Sequence, residues 1–315
     1  MQLADFSLVE NATGIYHTAG KFFIDPQHIS DVAVVTHAHA DHAVKGNKVV
    51  YCTLATRDLM LARYGKHAAG NFIEKNFNEP FTVNNVELCF YPAGHILGSA
   101  SLLLTFNEKT VFITGDIKLQ QDSTCEKAIL PNADLLITES TFANPETKHP
   151  DDFNEIINLK NYSDKNIVVG VYAIGKAQRL TRLINDHCPE FEIMVHPSII
   201  PYHHVYEKHG ISLGKWIPYK RQDFKKNKGI VYLTVPLAVD AFFRNTDVYA
   251  AFASGWQHLQ KKATVNLSIS DHADWDDLLE IVKQVNPSFI KTIHGDGNLL
   301  KNYLNQTQKN IQFII

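Results

Sequence analysis

The chain has 315 residues, of which 45% are hydrophobic and 20% are charged, values typical of a globular protein that buries one large core or two smaller ones. The formal net charge is -3 and the sequence pI is about 6.6, so only a local basic patch or bound metal ions would attract a polyanionic partner. No run approaches the roughly 18 apolar residues that a membrane-spanning helix requires.

The first residues and the cysteines indicate the cellular compartment that we expect for the protein. The first six residues lack a basic region and a long apolar stretch, so we expect no signal peptide, no membrane association and a cytoplasmic protein. The cysteines are far apart and form no CxxC pair, which favours buried thiols in a reducing compartment over disulfides or zinc ligands. They are Cys52, Cys89, Cys125 and Cys188.

Short strands dominate the first half of the chain. Alternation and turn residues predict hairpins over 81–91, around Asn84-Asn85, and over 101–114. Helical spacing of apolar residues predicts a helix over 54–64. Further strands are predicted over 14–17, 21–25, 32–36, 49–52 and 133–141.

Four of these strands share one feature. Each apolar stretch ends and a histidine or an acidic residue follows at once, namely His37, His95, Asp116 and Glu139. Several strand ends that present such residues at one edge describe a sheet or sandwich with its site along that rim.

The stretch 36–42 carries the strongest chemical signal. Thr36-His37-Ala38-His39-Ala40-Asp41-His42 holds three imidazoles and one carboxylate directly after a buried strand. His37 and His39 lie on one side of the chain, and Asp41 and His42 face a second point as the chain turns. Such a cluster suits two adjacent divalent metals. A polar loop rich in histidine is the alternative, but an unliganded cluster of this kind has no structural use.

The pattern changes near residue 160. Strands over 167–172, 191–195, 230–235 and 247–252, with a helix over 177–184, indicate a small parallel α/β unit. We interpret this unit as an insertion because the earlier pattern resumes after it. The resumed part includes 270–274, an amphipathic helix over 275–285, a strand over 289–293 and His294.

Two basic features of the inserted unit each allow two interpretations. Gly175-Lys176 precedes a helix and suits either a phosphate-binding turn or an ordinary strand-to-helix turn. The segment 215–228 interleaves Trp216 and Tyr219 with six cations. It suits either a path for a nucleic-acid strand with base stacking or a solvated loop.

Taken together, these motifs resemble a known family. His37-x-His39-x-Asp41-His42, then His95, then Asp116 after Thr-Gly, resembles the metal motif of the metallo-β-lactamase fold. The stretches 138–142, 175–178, 270–274 and 293–295 resemble its β-CASP branch, whose members cut nucleic acids. Within that branch, 36–43, 253–256 and 270–275 are most similar to bacterial ligase-associated DNA exonucleases.

The resemblance implies an architecture. The fold expected is an α/β protein, specifically an αββα metallo-β-lactamase sandwich with an inserted small α/β β-CASP cap. We expect the first part of the sandwich over 1–162, the cap over 163–258 and the second part of the sandwich over 259–315.

The resemblance also implies ligands and roles, with zinc expected and manganese as the alternative. Two metal ions would share a hydroxide, the nucleophile, which Asp41 would orient as well. His272 would be the general acid, and Glu139 would fix its tautomer and raise its pKa. We expect Lys176 and Ser270 to contact the substrate. The implied ligands are His37, His39 and His95 for one ion, Asp41, His42 and His294 for the other, and Asp116 as the bridge.

The function expected first is an exonuclease that acts on DNA ends in repair, alongside an ATP-dependent DNA ligase and a helicase. The alternative is an RNA-processing endo- or exoribonuclease of the mRNA 3′-end processing type. It draws support from His294, since eukaryotic DNA-repair members usually carry valine there. A small-molecule metallo-hydrolase is disfavoured by the inserted unit and by the pair Glu139 and His272. A non-catalytic scaffold would be expected to have lost ligands, and none is missing.

Overall fold

The computed structural model describes residues 2–243, 247–308 and 310–314. The chain divides into two units, each with its own core. Unit 1 comprises Met1–Gln121, Cys125–Lys148 and His272–Ile315, and unit 2 comprises Asp122–Thr124 and His149–Asp271. The predicted cap, 163–258, lies within unit 2, and its bounds stay a proposal. Across the described residues, no helix combines the length and the apolar character needed to cross a membrane.

The first part of unit 1 is built mainly of strands. Its helix α1 is the helix predicted over 54–64, and the Thr53 side chain caps it by accepting a hydrogen bond from the Thr56 amide. The elements are β1 (Leu8–Asn11), β2 (Gly14–His17), β3 (Phe22–Ile24), β4 (Val32–Val34), β5 (Asn47–Cys52), α1 (Leu54–Tyr64), β6 (Ala69–Glu74), β7 (Phe81–Val83), β8 (Val86–Pro92), β9 (Ala100–Phe106), β10 (Lys109–Ile113) and β11 (Leu135–Glu139).

Unit 2 alternates strands and helices, as predicted. Its elements are α2 (Asp152–Ile157), β12 (Asn166–Gly170), α3 (Lys176–His187), β13 (Glu192–Val195), α4 (Ile200–Lys208), β14 (Ile217–Pro218), α5 (Arg221–Lys226), β15 (Ile230–Thr234), α6 (Pro236–Val239), β16 (Val248–Ala253), α7 (Gln257–Gln260) and β17 (Val265–Leu267). The chain then returns to unit 1 through α8 (Trp275–Val285), β18 (Phe289–Ile293), α9 (Asn298–Thr307) and β19 (Gln312–Phe313). Short 3₁₀ helices cover Leu3–Phe6, Gly65–His67 and Asn158–Tyr162.

Unit 1 holds two sheets. The first has the strand order β1-β2-β3-β4-β5-β6, and the second has the order β19-β18-β11-β10-β9-β8-β7. One apolar cluster draws side chains from both sheets, including Val34 from the first and Val111 and Ile137 from the second. Phe112 and Leu136, which point the other way along the same strands, join a cluster with α8 and α9. Strands that are buried on both faces read as unbroken apolar runs, as these do.

Unit 2 holds one sheet in which every pair of neighbouring strands is parallel, in the order β14-β13-β15-β12-β16-β17. Ile167 and Val169 face one apolar cluster and Val168 faces another, so both faces of β12 are buried. The predicted α/β class is therefore confirmed for both units. None of the four cysteines forms a disulfide.

Candidate metal centre

The second sheet of unit 1 sets the position of three predicted site residues. Strands β10, β11 and β18 are parallel neighbours, so their carboxyl ends meet at one edge. Glu139 is the last residue of β11, and His294 directly follows β18. Asp116 follows β10 after Gly115. The topology thus brings together carboxylates and an imidazole from three distant parts of the sequence.

Three groups of side chains in unit 1 have the composition and spacing of metal ligands. Within each group, one candidate ligand atom from each residue lies within 4.8 Å of the others, and Asp116 belongs to all three groups. The groups are His37, His39, His95 and Asp116; His42, Asp116 and His294; and Asp116, Glu139 and His272.

The first group has the spacing of a single metal site. The Asp116 Oδ2 atom lies 3.5 Å from His37 Nε2 and 3.7 Å from His95 Nε2. His95 Nε2 lies 3.0 Å from His39 Nδ1. Four ligands in a tetrahedron around zinc, each at about 2.0–2.1 Å, would stand about 3.4 Å apart. These distances therefore fit one ion held by three imidazoles and one carboxylate oxygen.

The second group uses the other oxygen of Asp116. His42 Nε2 lies 3.4 Å from Asp116 Oδ1, and the rings of His42 and His294 are 5.1 Å apart. His294 is a non-glycine residue with a positive φ of 52°. Backbone strain of this kind concentrates at functional sites. A carboxylate with one oxygen in each group has the arrangement of a bridging ligand.

Asp41 stands apart from these groups. Its carboxylate lies 3.9 Å from His42 Nε2, but 68% of its side chain is exposed. Among the described residues it joins none of the three groups. The carboxylate is adjacent to the second group and faces solvent, so its predicted roles as ligand and orienting base stay proposals.

Two buried nitrogen atoms test whether metal ions suit the site. His37 Nε2 and His42 Nε2 are buried, and neither forms a hydrogen bond within the described part of the chain. A buried polar atom without a partner costs free energy, and native proteins rarely leave one. Both atoms point at the Asp116 carboxylate, and imidazole nitrogen and carboxylate oxygen are the donors zinc prefers. The residues present therefore fit divalent metal ions.

The protonation of His37 and Asp116 agrees with that fit. Burial, reinforced by the neighbouring His42, holds the pKa of His37 well below its ordinary value, so its imidazole is neutral at pH 7. Burial opposes ionisation of Asp116, but the charges of His42 and His272 outweigh it and hold the pKa of that carboxyl well below its ordinary value. A neutral imidazole and an ionised carboxylate are the forms that bind metal.

Asp25 is a site residue that the sequence analysis missed. One carboxylate oxygen accepts hydrogen bonds from the Thr36 hydroxyl at 2.6 Å and pairs with His42 Nδ1 at 2.8 Å. The other accepts from the Thr36 amide at 2.7 Å. Asp25 thus holds the start of the histidine loop and orients one imidazole, a common arrangement behind metal-binding histidines. The available signal was its place directly after an apolar strand, β3.

The loop that carries His95 is braced by its neighbours. The Ser99 hydroxyl accepts hydrogen bonds from the amides of His95 and Ile96 at 3.2 and 3.1 Å. Gly94 precedes His95 with a φ of 74°, and a Cβ there would lie 2.2 Å from the Lys118 carbonyl oxygen. Only glycine fits this turn. The predicted ligand is therefore held on a fixed backbone.

His272 and Glu139 form a closed pair. His272 Nδ1 lies 2.9 Å from Glu139 Oε2, and the glutamate is fully buried. Glu139 also accepts hydrogen bonds from the Ile117 amide at 2.8 Å and the Thr141 hydroxyl at 2.7 Å. This orientation makes Nδ1 the protonated nitrogen of a neutral His272. A quarter of the His272 side chain remains exposed, which allows access to its ring.

The two predicted substrate-binding residues are buried in unit 2. Lys176 is 2% exposed, and its ammonium donates to the Ile269 carbonyl at 2.7 Å and pairs with Asp271 at 3.0 Å. Ser270 is also 2% exposed. Both side chains lack the solvent access that a phosphate contact requires, so we do not propose substrate binding for them. The interpretation of Gly175-Lys176 as an ordinary strand-to-helix turn fits better.

The aromatic residues of the basic segment 215–228 face inward. Tyr219 stacks on Tyr232 with ring centroids 4.0 Å apart and packs against an apolar core cluster. Trp216 packs edge-on against His203 at 4.9 Å and donates a hydrogen bond to Glu207. The cations remain on the surface, so a solvated segment over its own core is the better interpretation.

Comparison with known proteins finds relatives of similar sequence. No protein-family model matches the chain. A protein named "Probable DNA ligase" from Opitutus terrae is 29% identical over 301 residues, which span 91% of this chain and 29% of that protein. An "RNase J-like protein" from Methanocaldococcus jannaschii is 31% identical over 189 residues, 50% of this chain and 44% of that protein. The chain thus spans less than half the length of each of these relatives.

A solved structure has a similar fold. It is a protein of unknown function from Enterococcus faecalis V583, which is 18% identical to this chain. The superposition has a TM-score of 0.60 and covers 92% of this chain and 80% of that one. In this structure the candidate ligands of this chain assemble around Asp116.

Proposed function

We propose that this protein is a metal-dependent phosphodiesterase that cuts nucleic acids, built as an αββα metallo-β-lactamase sandwich with an inserted β-CASP cap. The observation that carries the proposal is the pair of Glu139 and His272 beside Asp116. A metal centre alone serves many hydrolases. A histidine fixed by a buried carboxylate next to that centre supplies an acid for a poor leaving group such as a nucleoside oxygen.

The two groups that meet at Asp116 support a proposal for the residues that would hold the metals. His37, His39 and His95 would hold one ion, His42 and His294 would hold the other with Asp41 nearby, and Asp116 would contribute to both sites. When bound, two divalent ions lower the pKa of water and neutralise the charge of the phosphate. The nitrogen-rich ligand set favours zinc, and manganese remains the alternative. Metal analysis of purified protein decides between them.

The proposed general acid, His272, transfers one proton to the leaving group. Glu139 accepts a hydrogen bond from Nδ1–H, so the acid form is the doubly protonated imidazolium of His272, whose Nε2 carries the transferable proton. Nε2 donates this proton to the oxygen that leaves phosphorus, and water restores it after the product departs. General-acid catalysis of this kind contributes about 10²–10⁴-fold to the rate.

DNA is the substrate that we propose, with digestion from DNA ends in repair alongside an ATP-dependent DNA ligase and a helicase. The support is the match with the probable DNA ligase, which spans 91% of this chain. RNA processing, as in mRNA 3′-end formation, is the second candidate. It is supported by the RNase J-like relative and by His294 at the position where eukaryotic DNA-repair members usually carry valine.

The test is digestion of end-labelled DNA and RNA of matched sequence with added zinc or manganese. We expect nucleotides to be released from the ends of DNA and a loss of about 10²–10⁴-fold in His272→Ala. The matched control is His204→Ala, which removes an exposed histidine in unit 2. Cleavage of RNA alone would replace DNA with RNA in the proposal. No cleavage of either polymer with both metals supplied would reject the nuclease function.

A further inference from the structure

Unit 2 contains a buried network of charged side chains that the proposed metal centre does not use. Its two cations are Lys176 and Arg179, both on helix α3 and both 2% exposed. Arg179 pairs with three carboxylates: Asp122 at 3.4 Å, Asp271 at 3.2 Å, and Asp152 in close contact. Two cations and three carboxylates give a formal charge of -1. Arg179 thus joins carboxylates from three separate segments of the chain.

The network also holds the main chain. Lys176 donates to the Ile269 carbonyl oxygen at 2.7 Å, and Arg179 donates to the Ser270 carbonyl oxygen at 2.8 Å. The Asp271 carboxylate takes one contact from each cation, at 3.0 and 3.2 Å. Three consecutive residues are therefore tied to helix α3, and the next residue in the chain is His272.

Stability alone is a weak reason for such a network. The desolvation of two cations and three carboxylates offsets most or all of their mutual attraction, and apolar residues of similar volume often stabilise a core as well. A charged network does impose a specific geometry, since each ammonium or guanidinium group must meet named oxygens at hydrogen-bond distance. What it fixes here is the stretch 269–271.

We propose that Lys176 and Arg179 are positioning residues that fix the main chain of residues 269–271 and thereby set the orientation of the His272 imidazole. This inference rests on the proposed function, in which His272 is the general acid. It assigns Lys176 a role that differs from phosphate binding. Neither cation touches the substrate, and both act through the three residues that precede His272.

The test compares two substrates with different leaving groups. A DNA oligonucleotide needs a proton on its departing oxygen, whereas a p-nitrophenyl phosphodiester releases an anion stable enough to depart without one. Loss of a well-placed acid therefore lowers kcat for DNA far more than for the p-nitrophenyl ester. A variant that only destabilises the fold lowers both activities in parallel. The change that His272→Ala causes in the ratio of kcat for DNA to kcat for the p-nitrophenyl ester is the largest change expected.

The variants are Lys176→Met, Arg179→Lys and Asp271→Asn, which keep side-chain size and remove one feature each. We expect kcat for DNA to fall about 10- to 100-fold, with a smaller fall for the p-nitrophenyl ester and little change in KM. The matched control is Asp152→Asn, because Asp152 contacts Arg179 but none of residues 269–271 through an ion pair. This control is expected to lower the thermal midpoint without changing the ratio of the two kcat values.

The possible outcomes distinguish failure of the positioning inference from failure of the proposed nuclease function. A shift in the ratio for the three variants, absent in Asp152→Asn, supports positioning. Parallel loss on both substrates, or no loss in the variants that stay folded by circular dichroism, overturns it while the nuclease function stands. A wild-type protein that cleaves neither substrate in the presence of metal rejects the proposed function instead.

Discussion

Asp25 illustrates how one carboxylate organises the residues around it. Its carboxylate accepts hydrogen bonds from the Thr36 hydroxyl and amide and pairs with His42 Nδ1. Asp25 therefore sets both the path of the histidine loop and the direction of one imidazole. Its partner atoms lie 11 and 17 positions away in sequence. Parallel pairing of β3 with β4 brings Asp25 beside the loop.

The first prediction is that Asp25→Asn weakens metal binding. The amide keeps the size of the carboxylate but loses the charge that supports His42, and such changes behind a metal ligand cost about 10- to 100-fold in metal affinity. Titration against a competing chelator measures the loss. The control is Asp31→Asn, an exposed acid that pairs only with Lys48 among the described residues. Equal metal affinities in the two variants would contradict the role given to Asp25.

The residue-scale features that sequence could predict are those that rely on local position. The strand-end pattern identified His37, His95, Asp116 and Glu139 without any structure. The burial of Lys176 could not be predicted, because it depends on Asp271, which lies 95 positions later in the sequence. A lysine after a glycine looks the same in sequence whether its ammonium faces solvent or a buried carboxylate.

At the scale of elements, His203 joins two helices of unit 2. It lies on α4, with Nδ1 3.0 Å from the Gln178 amide nitrogen and Nε2 2.9 Å from the Thr181 hydroxyl, both on α3. Burial lowers the pKa of His203 to about 3, with a further lowering from His204. The folded protein therefore keeps this imidazole neutral across the mildly acidic range.

The second prediction concerns the acid sensitivity of that contact. Below pH 6.5 the unfolded chain gains a proton at His203 and the folded protein does not until about pH 3, so stability falls as the pH falls through this window. The loss between pH 7 and pH 5 is about 2 kcal/mol. We expect His203→Gln to remove that part of the difference in urea unfolding free energy between the two pH values. His204→Gln, at an exposed neighbour, should retain the wild-type difference.

The third prediction concerns the hairpin of β9 and β10. Its turn residues Asn107 and Glu108 have φ values of 49° and 61°. Two consecutive positive φ values match the turn that favours Asn-Gly. We expect Glu108→Gly to raise the free energy of unfolding by about 1 kcal/mol, because glycine adopts this conformation without a Cβ penalty. Glu108→Ala keeps the Cβ and should give no gain; a thermal midpoint for Glu108→Gly at or below wild type would refute this account.

Elements with a clear pattern of burial were predictable and the others were not. Helices α1 and α8 run over the predicted residues, 54–64 and 275–285, because each has an apolar face and a capping residue. Strand β6 (Ala69–Glu74) was missed because none of its residues is fully buried, so no alternation appears. Strand β1 (Leu8–Asn11) has a single buried residue. Such strands form through pairing with a neighbour rather than through their own sequence.

At the scale of the whole molecule, charge limits how a nucleic acid can be attracted. The chain carries 30 basic and 33 acidic residues, a formal net charge of -3, so the protein as a whole does not attract a polyanion. The proposed metal centre would place two divalent cations among buried imidazoles, and bound ions are often the largest local charges in a site. The metals would therefore contribute both to the attraction of the substrate and to the catalysis of its cleavage.

The last prediction concerns the contribution of the metals to DNA binding. Removal of the metals with a chelator is expected to weaken binding of a DNA oligonucleotide at least about tenfold, in addition to abolishing cleavage, because the metal ions would supply positive charge at the site of a protein whose formal net charge is -3. Fluorescence anisotropy of a labelled oligonucleotide measures both states, with a non-hydrolysable phosphorothioate backbone for the metal-loaded protein. Circular dichroism checks that the metal-free protein stays folded. Equal affinity with and without metal would show that surface cations, such as those of the segment 215–228, supply the attraction instead.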